Sequence, residues 1–138
     1  MGVIMKGTYQ GNKRVEILHE ESGSTLITDA PKDNQGEGQS FSPTDLCAVS
    51  LASCILTTIA IKMEGEGGVD LSHSFFTAEK IMSSDPRKIA SIRASIHLPS
   101  ALNEKQKIIA ERVGRACPVH RSLADHVELT VEFHFDVE

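Results

Sequence analysis

From Leu46 to Ile61 the chain carries no charged residue, and nearly every position is apolar or small. Such a run predicts a helix buried on most of its sides. Ser42-Pro43 marks its start. Ser is a good N-cap, Pro suits the first helical position, and Asp45 sits well in the first turn. The helix should reach about Met63, where "EGEGG" (64–68) offers glycines for a left-handed cap. In a chain of 138 residues a helix of this kind is central, and it is expected to need a second subunit to cover it.

Elsewhere the period changes. Ile89, Ser91, Arg93, Ser95 and His97 interleave with Ala90, Ile92, Ala94, Ile96 and Leu98. A period of two predicts a half-buried strand. "LSHSFFTAEKIMSS" precedes it across Asp85-Pro86, so the two segments read as a hairpin. "SALNEKQKIIAERVGRACPV" reads as an amphipathic helix with Ile108, Ile109, Val113 and Ala116 near helical spacing. Pro118 interrupts it after Cys117, and "HRSLADH" is expected to add one helical turn. "VELTVEFHF" alternates and is expected to close the chain as an antiparallel strand.

Residues 3–29 predict a meander of three short strands, with turns at Gly11-Asn12 and Glu21 to Gly23. Residues 30–42 are rich in Pro, Gly and polar residues and read as a loop. The order is strands, long helix, strands, helix, strand. It predicts the α+β class, with helices on a largely antiparallel sheet. One domain is expected over 1–138, divided into a meander and loop (1–41) and a main body (42–138).

Composition narrows the function. Hydrophobic residues make up 40% and charged residues 24%, as in soluble globular proteins. A net charge of −5 and the absence of Lys/Arg blocks argue against nucleic acid as a partner. One Tyr and no Trp leave little for base stacking. The uncharged run is shorter than the roughly 18–20 residues of a membrane span. The first residues lack an apolar stretch ending in a small-residue cleavage site, and Lys6 fits a myristoylation signal poorly. A cytoplasmic protein without a membrane partner is expected. Three cysteines, an odd number, fit reduced thiols in a reducing compartment.

Those thiols are the candidate chemistry. Cys54 is either a small core hydrophobe or a reactive sulfur. Burial disfavours the thiolate, and the start of the helix is several turns away, beyond useful reach of its dipole. A reactive Cys54 therefore needs a cation from another segment: Arg14, Arg87, Arg93, Arg112, Arg115 or Arg121. Cys117 stands before Pro118 at a helix break, followed by His120 and Arg121, and it too reads as core or as a reactive thiol. Cys47 lies two helical turns before Cys54, about 10 Å along the axis. That is too far for a disulfide, so Cys47 reads as packing. A metal reading would join Cys117 and His120, as C-x-x-H, to His126 or Cys54. No second tight pair or H-E-x-x-H supports it. The sequence has no C-x-x-C, no Gly-rich phosphate loop and no G-x-S-x-G. No metal or cofactor is expected.

Taken together, "SPTDLCAVSLASC" and "ACPVHRSL" resemble the OsmC/Ohr family, the osmotically induced and organic hydroperoxide resistance proteins. The order of elements is similar along essentially the whole chain. The resemblance implies an intertwined homodimer with active sites at the subunit interface. It implies a peroxidatic thiolate at Cys54, a resolving thiol at Cys117, and an activating Arg from the meander, Arg14. Thr44, Leu51 and His120 become candidate binding residues. The implied substrate is an organic hydroperoxide and the implied reductant an external dithiol. Apolar walls around Cys54 would favour a bulky peroxide over hydrogen peroxide. One position departs from the pattern. The hydroperoxide reductases of that family carry a Glu ten residues before the peroxidatic Cys, and here that position is Thr44. Asp45 is displaced from it by about 100° around the helix. Glu37, in the preceding loop, is the candidate substitute. The departure keeps a second reading open: a binding protein for a small apolar ligand, or a redox sensor, with weak or no peroxidase activity.

Overall fold

The structure, a computed structural model, describes residues 2–66 and 68–138. The elements are β1 (Met5–Gly11), β2 (Arg14–His19), β3 (Thr25–Asp29), α1 (Pro43–Glu66), β4 (Phe75–Ser83), β5 (Lys88–Pro99), α2 (Glu104–Arg115), α3 (Pro118–Ser122) and β6 (Glu128–Val137). The chain divides into two compact units, Met1–Cys47 and Ala48–Glu138. The α+β class predicted from the sequence is the one observed.

In the first unit, β1, β2 and β3 form an antiparallel meander in that order. Gly11, Asn12 and Lys13 all have positive φ in the tight β1–β2 turn, a conformation that Gly and Asn adopt at low cost. The β2–β3 register sets Arg14 directly opposite Asp29. The loop after β3 folds back on its own start. Gly36 N–H donates to Pro31 O at 3.0 Å and Gly38 N–H to Ala30 O at 3.1 Å. A Cβ at Gly36 would lie 1.8 Å from Ala30 O, so only glycine fits there. Among the described residues of this unit, only Thr28, Asp29 and Ser42 are buried.

The start of α1 goes beyond the expected cap. Asp45 N–H donates to Ser42 Oγ at 3.1 Å, and Ser42 N–H donates back to Asp45 Oδ2 at 2.9 Å. This reciprocal pair satisfies two otherwise orphaned donors. At the far end Val69 N–H donates to Met63 O at 3.2 Å and Gly68 has φ +60. A left-handed glycine just past the last turn is a common way for a helix to end. Gly67 of the "EGEGG" cap lies outside the described residues.

In the second unit, α1 contributes Ala48, Leu51, Ala52, Ile55, Ile59 and Met63 to a core with Ile92, Ala94, Ile96 and Leu98 of β5. Burying each large aliphatic side chain here contributes about 1.5–3 kcal/mol. The expectation of burial on most sides is not met within one chain. Ser53, Thr57 and Ile61 form an open stripe, and Ile61 is 73% exposed. A single three-stranded sheet covers one face of a helix and leaves the other. Pro43–Gly65 is also long and apolar enough to cross a membrane by length and composition alone, because the helix outruns the uncharged segment at both ends. Its core stripe is what a buried helix of a folded domain presents.

Two further expectations are corrected. The last strand, β6, pairs parallel to β5, while β4 and β5 are antiparallel. The chain between β5 and β6 carries α2 and α3, and a crossover of that length returns it pointing the same way. On α2 the fully buried residues are Ala110 and Gly114, Ile109 packs against the core in part, and Ile108 is 62% exposed. A Cβ at Gly114 would lie 3.0 Å from both Ile55 Cγ2 and Phe133 Cζ. The helix approaches its neighbours so closely that its smallest residues face inward.

Candidate active site

Cys54 stands on α1 beside the core stripe and is half-buried. Its Sγ lies 3.9 Å from Thr58 Oγ1, one turn on. Cys117 comes from the break between α2 and α3. The residue before a proline is driven to extended backbone, and Cys117 has φ −66 and ψ 150. This turns its side chain into the N-cap position of α3. There its Sγ accepts the N–H of His120 at 3.3 Å. Cys117 is completely buried. Cys54 packs against the buried core cluster that includes Cys117. Two cysteines from distant parts of the chain are thus brought to one core, both as free thiols. Burial pushes the Cys117 thiol above its ordinary value, the N–H of His120 pulls against this, and the adjacent Cys54 pushes it up further. Cys117 is therefore a protonated thiol at neutral pH.

The other candidates have definite places. Leu51 is fully buried on α1, one turn before Cys54. His120 meets Cys117 through its backbone, and it also lines a cavity of about 380 Å³ with Arg121, Leu123 and Asp125. Thr44 belongs to the start of α1, its Oγ1 3.2 Å from Ser42 Oγ. Cys47 is half-buried. Among the described residues, no three His, Cys, Asp or Glu side chains converge on a point that could hold a metal ion.

Arg14, in the first unit, is held by two carboxylates. Its Nε is 3.6 Å from Asp29 Oδ2 and its Nη2 is 3.5 Å from Glu37 Oε2. Asp29 is only 1% exposed. Gln39 N–H donates to Asp29 Oδ2 at 3.0 Å, and Gln39 Nε2 donates to Glu37 Oε2, also at 3.0 Å. The Gln39 N–H holds the Asp29 carboxyl below its ordinary value, assisted by the Arg14 charge, while burial works in the opposite direction. A cleft of about 270 Å³ opens beside Arg14, lined also by Gln10, Thr28 and Ser40. Glu37 was legible as a substitute carboxylate. Asp29 and Gln39 were not, because their positions depend on the register of the meander and on the fold of the loop. The one available signal was that "TLITD" places an acid at the end of a strand.

A family profile described as OsmC-like protein matches residues 36–132. A crystal structure from Psychrobacter arcticus 273-4, of a protein provisionally described as an osmotic stress induced and detoxification response protein, is 38% identical. It covers 97% of this chain and 98% of that one, with a TM-score of 0.90. The organic hydroperoxide resistance protein OsmC of Legionella pneumophila shares the fold, with a TM-score of 0.74 at 18% identity and 97% coverage of both chains. YmaD of Bacillus subtilis (strain 168), an uncharacterized protein, is 23% identical over 93% of this chain and 90% of its own length. The chain belongs to the OsmC-like protein family.

Proposed function

We propose that this protein is a thiol-dependent peroxidase that reduces organic hydroperoxides through Cys54 and Cys117. The observation that carries this reading is the packing of Cys54 against the core cluster that holds the buried Cys117 thiol. A sulfenic acid formed at Cys54 would have its resolving partner already in place. The name of the Legionella pneumophila protein, organic hydroperoxide resistance protein, indicates the substrate class.

The chemistry follows from the two sulfurs. The Cys54 thiolate attacks the terminal oxygen of the hydroperoxide. The O–O bond breaks, the alkoxide takes up a proton and leaves as an alcohol, and Cys54 becomes a sulfenic acid. Cys117 then attacks the Cys54 sulfur, an S–S bond forms, and the sulfenic oxygen leaves as water. Cys117 is a thiol at neutral pH, so it brings the proton that this water requires. An external dithiol reduces the disulfide by two exchange steps and is itself oxidised. In that return the His120 N–H stabilises the Cys117 sulfur as it departs as a thiolate. Arg14 is assigned the activation of the Cys54 thiolate, in keeping with the family resemblance.

The working form is proposed to be a homodimer. Support comes from the open stripe of α1, which carries the exposed Ile61, and from a first unit without one fully buried apolar side chain among its described residues. The experiment is peroxide consumption with cumene hydroperoxide and a dithiol reductant. The wild type turns over and Cys54→Ser does not. Equal consumption by the two would reject the reading. It would favour the second one, a ligand-binding or redox-sensing protein, which is motivated by the uncharged Thr44.

A further inference from the structure

We infer that Asp29, Glu37 and Gln39 act together as positioning residues that hold the Arg14 guanidinium in its working orientation. This rests on the reading of Cys54 as the peroxidatic thiol activated by Arg14.

The four residues close a ring. Arg14 touches Asp29 and Glu37, and Gln39 touches the same two carboxylates with its backbone N–H and its side-chain amide. The two contacts reach different nitrogens of a planar fork. At 3.6 and 3.5 Å they are ion pairs, which draw the guanidinium toward both carboxylates and so bias its orientation as well as its position. A free Arg side chain would spread over many rotamers, and holding one of them in advance removes that loss from the reacting state.

The anchors differ in character. Asp29 is buried, sits across the β2–β3 ladder from Arg14, and is kept ionised by the Gln39 N–H. Glu37 has a side chain 62% exposed. Its place is set by the loop, which is pinned to Ala30 and Pro31 through Gly36 and Gly38. Gln39 couples the buried anchor to the exposed one. Thr44 has no charge with which to orient a guanidinium, and the ring supplies the carboxylates that this position lacks.

The test measures Cys54 directly. In a Cys117→Ser background of the full chain, the rate of Cys54 alkylation by iodoacetamide is followed against pH, together with single-turnover oxidation by cumene hydroperoxide. Glu37→Gln and Asp29→Asn are each expected to move the alkylation profile to higher pH and to slow oxidation at neutral pH roughly tenfold. Adding Glu37→Gln to Arg14→Ala is expected to change nothing further. If Arg14→Ala moves the profile while Glu37→Gln and Asp29→Asn leave it at the wild-type position, the inference is overturned and the reading of Arg14 stands. If Arg14→Ala also leaves it unmoved, both fall. Should Asp29→Asn fail to fold, the exposed Glu37→Gln decides alone.

Discussion

Cys54, on α1, packs against the core cluster that holds the buried thiol of Cys117, at the start of α3. Each sulfur occupies a position with a purely local cause: a long apolar helix for one, a proline-broken helix for the other. Their place at one core is the basis of the proposed chemistry.

The state of Cys117 predicts a pH effect on stability. Its folded value is raised above the ordinary 9.0, chiefly by burial. Between the unfolded and folded values the native state holds the extra proton, so stability falls as pH rises through that window. Melting temperature should therefore drop on the alkaline side of 9.0. Cys117→Ala should flatten the drop, as measured by thermal melts at a series of pH values. An unchanged alkaline slope in Cys117→Ala would contradict it.

Asp29 predicts the opposite side of the profile. Its carboxyl lies below the ordinary 3.8, so the stability it contributes is present above 3.8 and is lost as pH falls through the folded value. Asp29→Asn should be less stable than the wild type at neutral pH and should show a shallower fall in strong acid. Parallel acid slopes in the two proteins would show that the Asp29 contacts are not maintained in solution.

Gly114 predicts a packing effect. Alanine is favoured over glycine in a helix by about 1 kcal/mol, whereas overpacking a tight contact costs about 1–3 kcal/mol. At Gly114 a Cβ meets Ile55 and Phe133 at 3.0 Å and Ile59 at 3.2 Å, so three packed side chains must give way together. Packing should win, and Gly114→Ala should lower the unfolding free energy by up to about 2 kcal/mol, read from denaturant titrations. A stabilised variant would mean that α2 stands further from α1.

The open stripe of α1 predicts association. The wild type should run as a dimer in native mass spectrometry, and Ile61→Glu should shift it to monomer. Within one chain Ile61 is 73% exposed, so the substitution should cost that chain little on its own. A monomeric wild type would remove the dimer from the account.

Much of this was legible from residue order. Ser42, Pro43 and Asp45 marked the start of α1 through local hydrogen bonding, and the alternation from Ile89 to Leu98 marked β5 through its period. Cys54 and Cys117 stood out because each lies in a segment with a strong local pattern. The direction of β6 was not legible, since alternation reports which face is buried and not which way a strand runs. The packed face of α2 was misread because hydrophobicity favoured Ile108, while close approach selected Ala110 and Gly114. The ring around Arg14 depends on strand register and on a loop folded back at Gly36, and neither is encoded in a short window.

The most direct test of the central claim is peptide mapping by mass spectrometry of the wild-type protein after treatment with cumene hydroperoxide. The account predicts one intramolecular Cys54–Cys117 disulfide with Cys47 still reduced. Recovery of Cys54 unmodified, or oxidised without Cys117, would contradict it.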